Sequence, residues 1–113
     1  MSATLELAER LGKAIADSPQ AAALRAAREE MKKDAQAGQL LNDFRQHADK
    51  IAKLEGENKP VEVADKHKLR DLQGKLAASA TFKKFTAAQI EYIDLMRKVN
   101  QAIESQLGET EED

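Results

Sequence analysis

Ala80-Thr81-Phe82-Lys83-Lys84-Phe85-Thr86-Ala87-Ala88-Gln89-Ile90-Glu91-Tyr92-Ile93-Asp94-Leu95-Met96-Arg97-Lys98-Val99-Asn100-Gln101-Ala102-Ile103-Glu104-Ser105-Gln106-Leu107 contains neither proline nor glycine. Phe82, Phe85, Gln89, Tyr92, Met96, Val99 and Ile103 recur at alternating steps of three and four, the spacing of an apolar seam on one long helix. Ile90 and Ile93 are expected to widen that stripe. Ser79 supplies an N-cap and Gly108 a stop, so the spacing predicts a helix over 80–107.

Four shorter helices are read upstream. The first spans about 3–16, with Leu7, Ala8, Leu11, Ala14 and Ile15 on one side. Ser18-Pro19 ends it and opens the second, about 19–33, because proline at the first helical position lacks only an N–H that would have no helical partner. Its expected apolar face is Ala23, Leu24, Ala27 and Met31. Asp34 caps a third helix, which runs to about Leu54. Ala37, Leu41, Phe44, Ala48 and Ile51 repeat along it at coiled-coil spacing, flanked by Leu40 and Leu54. Between Gly56 and Pro60 the chain breaks, with Gly56 read as the helix C-cap. A fourth helix follows over about 62–78, with Leu69, Leu72 and Leu76 on one face.

Composition agrees with an all-α chain. Of 113 residues, 62 are Ala, Glu, Lys, Leu or Arg, whereas Val, Ile and Thr total 12, a balance that favours helices over a sheet. Alanine provides 20 of the hydrophobic residues and leaves only 27 larger ones, a thin core for this length. Twenty-eight helical residues span ~42 Å, whereas a compact globule of this size is ~35 Å across, from a radius of gyration of ~13 Å. The fold expected is therefore an elongated bundle of about five helices with a long C-terminal helix, dimeric so that a second chain covers the overhang. The expected organisation is a single helical domain over 1–108 and a disordered acidic tail over 109–113. That tail carries four acids and turns a body of net charge +2 into a chain of net charge −2.

Several chemistries are excluded or disfavoured. With no cysteine there is no disulfide, thiolate ligand or thiol nucleophile. His47 and His67, on different helices, do not make a multi-histidine centre. Glu91 and Asp94 lack the histidine that a Glu-x-x-His pair requires and read as a solvated face. No glycine-rich phosphate loop and no acid, base and nucleophile set is present, so no enzyme, cofactor or metal is expected. No apolar run approaches the ~18 residues of a membrane span. Met1-Ser2-Ala3-Thr4 meets Glu6 and Glu9 at once, unlike a secretory signal, so the expected compartment is the cytoplasm. Lys66, Lys68, Arg70, Lys75, Lys83 and Lys84 form a modest basic cluster that could bind RNA phosphates. Asp65 and Asp71 interrupt it, and no exposed aromatics accompany it for stacking, so direct nucleic-acid binding is not favoured.

The order of landmarks resembles the YlbF/YmcA family of small bacterial regulators, including its YheA-like members. These landmarks are Ala16-Asp17-Ser18-Pro19; Leu24 with Lys32-Lys33-Asp34-Ala35; Leu40-Leu41-Asn42-Asp43-Phe44; Gly56; Leu69 and Leu72; and Phe82-Lys83-Lys84-Phe85 with Ala88-Gln89. The resemblance covers about residues 5–107. It implies an elongated all-helical protein that forms homodimers or mixed oligomers with related members and acts as a non-catalytic regulator. In Bacillus-type bacteria such proteins support competence, sporulation and biofilm formation, in a complex acting with the membrane-anchored endoribonuclease RNase Y on messenger RNA processing. The iron–sulfur property of some members needs cysteines and does not carry over. Ser79-Ala80 replaces the Asn-Pro-like step that opens the last helix of many relatives, with the capping side chain retained.

The residues expected at a partner or oligomer interface are Leu41, Phe44, Phe82, Phe85, Gln89, Tyr92 and Met96. The same side chains serve equally as monomer core. Gln89 either fixes the register of a seam or lies at its edge and reaches water. Helix-on-helix docking is the leading mechanism; a direct RNA-binding module and a holdase-like cradle for unfolded chains are the alternatives.

Overall fold

The computed structural model describes residues 2–108; the acidic segment 109–113 lies outside the described residues. The described residues form five α-helices: α1 (Ala3–Ala16), α2 (Pro19–Lys33), α3 (Ala35–Gly56), α4 (Val63–Ala78) and α5 (Ala80–Leu107). No strand occurs among the described residues. The all-helical expectation and the long last helix are both realised, with starts and stops set by local chemistry.

The α1–α2, α2–α3 and α4–α5 junctions are each closed by a short polar side chain, whereas Glu62, before α4, makes no capping hydrogen bond. The Ser18 hydroxyl donates to the Ile15 carbonyl at 2.6 Å and accepts from the Ala21 N–H at 3.1 Å, closing α1 and capping α2 with one group. The Asp34 carboxylate accepts from the Ala37 N–H at 3.0 Å, and the Ser79 hydroxyl accepts from the Phe82 N–H at 3.2 Å. Each cap satisfies an amide that the first helical turn leaves without a partner.

The end of α3 departs from the sequence expectation. Gly56 is the last helical residue and not the cap; Asn58 takes the left-handed conformation, at φ 56°. Lys59 N–H reaches the Leu54 carbonyl at 2.9 Å, and Asn58 N–H reaches the Glu55 carbonyl at 3.1 Å. These two bonds are the paired closures of a Schellman motif, with asparagine in the position glycine usually fills.

The chain divides into two compact units. One comprises Met1–Ala27 and Thr86–Asp113, the other Arg28–Phe85, so α2 and α5 each contribute to both. In the first unit the buried residues are Ala21, Leu24 and Ala27. Ala23, expected on this face, is exposed; the covered stripe of α2 steps by threes from Ala21. In the second unit α3 packs against α4, and Ala37, Leu72 and Leu76 are buried. Leu40, Leu41, Phe44, Ala48, Ile51, Leu54 and Leu69 are half-buried, as the heptad reading of α3 and the leucine face of α4 require.

Candidate interaction site

The residues singled out as interface candidates fall in both units. Leu41, Phe44, Phe82 and Phe85 belong to the second and are half-buried. Tyr92 and Met96 belong to the first and are also half-buried, whereas Gln89 is exposed. The covered side of α5 runs through Phe85, Tyr92 and Val99, with Phe82 and Met96 on one flank and Ala88 and Leu95 on the other. The seam read from the sequence therefore has the right axis. It widens toward Ala88 and Leu95, and the expectation that Ile90 and Ile93 widen it is corrected: both are exposed. Gln89 reaches water at the edge of the stripe.

Beyond Val99 the α5 stripe loses its cover, since Ile103 and Leu107 are exposed. On α1 no residue is buried; Leu5, Leu7 and Leu11 are exposed, and Ile15 is half-buried. Among the described residues, seven of the eight large exposed aliphatic side chains (these three with Ile90, Ile93, Ile103 and Leu107) lie in the first unit; Val63 is the eighth. The seam read from the sequence ends at Ile103, inside the stretch that loses its cover. Leu5 and Leu7 were missed as exposed positions because an amphipathic helix advertises an apolar face without saying how much of it finds a partner.

The polar groups of the second unit serve the fold. His47 Nε2 lies 2.8 Å from the Asp65 carbonyl oxygen and 3.7 Å from its carboxylate, which also pairs with Lys50 Nζ at 3.1 Å. A carbonyl only accepts, so Nε2 carries the hydrogen. A shallow groove of about 430 Å³ beside this cluster is lined by Asp43, Gln46, His47, Lys50, Lys68 and Leu72. The Asp34 carboxyl is held below its ordinary value, first by the Ala37 amide and then by the Thr81 hydroxyl, an α3-to-α5 contact within this unit. Two further grooves, of about 380 and 490 Å³, share Asp34, Ala80 and Thr81 in their linings.

The basic cluster is partly neutralised where it stands: Lys75 pairs with Asp71 at 3.2 Å and Lys84 with Glu30 at 3.8 Å. In the first unit Asp94 is held below its ordinary value by Arg97, at 2.6 Å, and by Lys98, at 3.0 Å. Thus the Glu91–Asp94 side of α5 is a charged surface face. Among the described residues no group of three or more His, Cys, Asp or Glu is gathered, and no helix is long and apolar enough to cross a membrane.

Comparison with curated proteins and with solved structures returns no match. The family model described as control of competence regulator ComK, YlbF/YmcA, matches residues 4–108. That span takes in all of α2 to α5 and all but the first residue of α1: the chain is a member of the YlbF/YmcA family, a family of regulators.

Proposed function

We propose that this protein is a non-catalytic adapter in the control of competence and related developmental programmes. It acts in the cytoplasm by docking apolar helix faces onto other proteins. The observation that carries the reading is the set of seven large aliphatic side chains left in solvent by the first unit. Contiguous apolar surface of more than a few hundred Å² marks interaction sites on soluble proteins. The family's regulatory description supports a role exerted on partners. In this reading the chain self-associates or joins related family members, and the assembly works with an RNase Y-type endoribonuclease on messenger RNA.

Affinity capture of the tagged protein from its native cells, with and without nuclease, tests this. Nuclease-resistant recovery of an endoribonuclease or of related family members is the expected result. Partners that vanish with nuclease would move the function to direct RNA binding through the lysines of α4 and α5.

A further inference from the structure

We infer that the outer strip of α4, on the side away from its leucines, is a docking surface for an acidic amphipathic helix of a partner protein. This goes beyond the apolar docking proposed above. It is a second surface, in the other unit, and the adapter reading stands or falls without it.

α4 carries two seams. Leu69, Leu72 and Leu76 form the covered one. Val63, His67, Arg70, Gly74 and Ala77 recur at steps of four, three, four and three, so they share the other side of the helix, and all five are exposed. Lys66 flanks them. That spacing is the footprint of a second helix laid along α4. Its chemistry differs from the apolar faces of the first unit: one aliphatic side chain at the head, cations in the middle and small residues at the foot.

Charge selects the occupant. In the sequence Asp65 and Asp71 interrupt the basic run; in the fold neither neutralises Lys66 or Arg70. Asp65 turns toward α3, where its side chain is 16% exposed and lies 3.1 Å from Lys50 Nζ. Asp71 pairs with Lys75 at 3.2 Å, and Lys68 lines the groove against α3. Glu62 is the N-cap, ahead of the first turn. The side chains of Lys66, His67 and Arg70 have no hydrogen-bond or ion-pair partner among the described residues. Lys66 and Arg70 are four residues apart, so carboxylates one turn apart on a partner helix match them. The Arg70 guanidinium can hold such a carboxylate through two parallel N–H bonds.

Two further features favour a helix over a phosphate chain. A glycine inside a helix costs ~1 kcal/mol relative to alanine, and a Cβ at Gly74 would meet nothing within 4 Å, so no contact inside the chain calls for its absence. Bare backbone at Gly74, followed by Ala77, lets a second helix come close. Stacking surface for bases is lacking: the exposed large hydrophobic side chains among the described residues are all aliphatic, Val63 among them at 65%.

The probe is a synthetic peptide of Ala, Leu and Glu, about 20 residues long so that it holds its helix in water, with glutamates four residues apart on one face. Titrated into the isotope-labelled full chain at physiological ionic strength and followed by NMR, it should saturably shift the amides of 63–77. Lys66→Glu combined with Arg70→Glu should weaken binding about tenfold or more. Gly74→Gln should also weaken it, at unchanged charge, whereas Lys68→Glu, a charge reversal on the other flank, should weaken it far less. Oligouridylate, the phosphate-chain control, should bind less tightly than the peptide. Circular dichroism checks that each variant is folded. The assignment is overturned by an absence of shifts over 63–77, by unchanged affinity in the double variant or in Gly74→Gln, or by tighter binding of oligouridylate. Shifts of the same amides on concentrating the chain alone overturn it too, since the occupant is then a second copy. None of these outcomes bears on the apolar faces of the first unit, so failure here leaves the adapter reading to its own test.

Discussion

His47 on α3 donates its Nε2 hydrogen to the main-chain oxygen of Asp65 in the first turn of α4, across 2.8 Å. The acceptor is backbone, so it survives any substitution of Asp65. His47→Ala should therefore cost more than Asp65→Asn. The former loses a part-buried hydrogen bond worth ~1 kcal/mol; the latter weakens the pairing with Lys50, worth ~0–1 kcal/mol because its lysine end stands in solvent. Urea unfolding of the two variants checks the order, and an Asp65→Asn loss exceeding that of His47→Ala would contradict it.

The α3–α4 pair should respond to truncation at its buried leucines far more than at the seam residues of α5. Leu76 is 3% exposed, and Leu76→Ala should destabilise by about 2–4 kcal/mol through lost burial and a residual cavity. Phe85 is half-buried, so Phe85→Ala should fall below the ~3 kcal/mol of a fully buried phenylalanine. Gln89 is exposed, and Gln89→Ala should stay within ~0.5 kcal/mol. Chemical unfolding of the three variants gives the ranking directly; a Gln89→Ala loss comparable to that of Leu76→Ala would mean the covered side of α5 has been misplaced.

What was legible in the sequence is what local chemistry decides. Ser18, Asp34 and Ser79 cap their helices through atoms three residues away, so the starts of α2, α3 and α5 follow from side chains within one turn. The axis of the α5 seam was legible for the same reason, since Phe85, Tyr92 and Val99 share a face by periodicity alone. Its flank was not. Ile90 and Ile93 are more apolar than Ala88, but cover depends on which side another helix approaches, and periodicity carries no such information. Gly56 drew the α3 C-cap because glycine is the usual left-handed residue. The helix instead ran on through it and used Asn58, the next residue type that tolerates that conformation.

That substitution of asparagine for glycine has a measurable consequence. Asn58 holds φ 56°, where a β-branched side chain is strained. Asn58→Gly should leave stability unchanged or slightly raised, while Asn58→Val should lower it by ~1–2 kcal/mol, the steric cost of one left-handed residue. Thermal unfolding separates the two. Equal melting temperatures for both variants would remove the Schellman closure as the stop signal of α3.

Asp34 gives the chain a predictable acid response. Its folded-state carboxyl is held below the ordinary 3.8, chiefly by the Ala37 amide and next by the Thr81 hydroxyl. A depressed folded pKa means the carboxylate is favoured in the folded state, so its contribution is complete above the unfolded value. That contribution fades as pH falls through the folded value, where the proton removes the charge that both donors address. Asp34→Asn keeps a capping oxygen but has nothing to titrate, so its stability should fall less steeply than wild type below about pH 4. Thr81→Val removes one of the two leading donors and should bring the Asp34 pKa back toward 3.8, narrowing the window over which stability is lost. Denaturant unfolding between pH 2.5 and 7, taken as differences from wild type so that the other carboxylates cancel, reads both effects. An Asp34→Asn curve parallel to wild type throughout would show that the α3 cap and its tie to Thr81 do not discriminate between the charged and neutral acid.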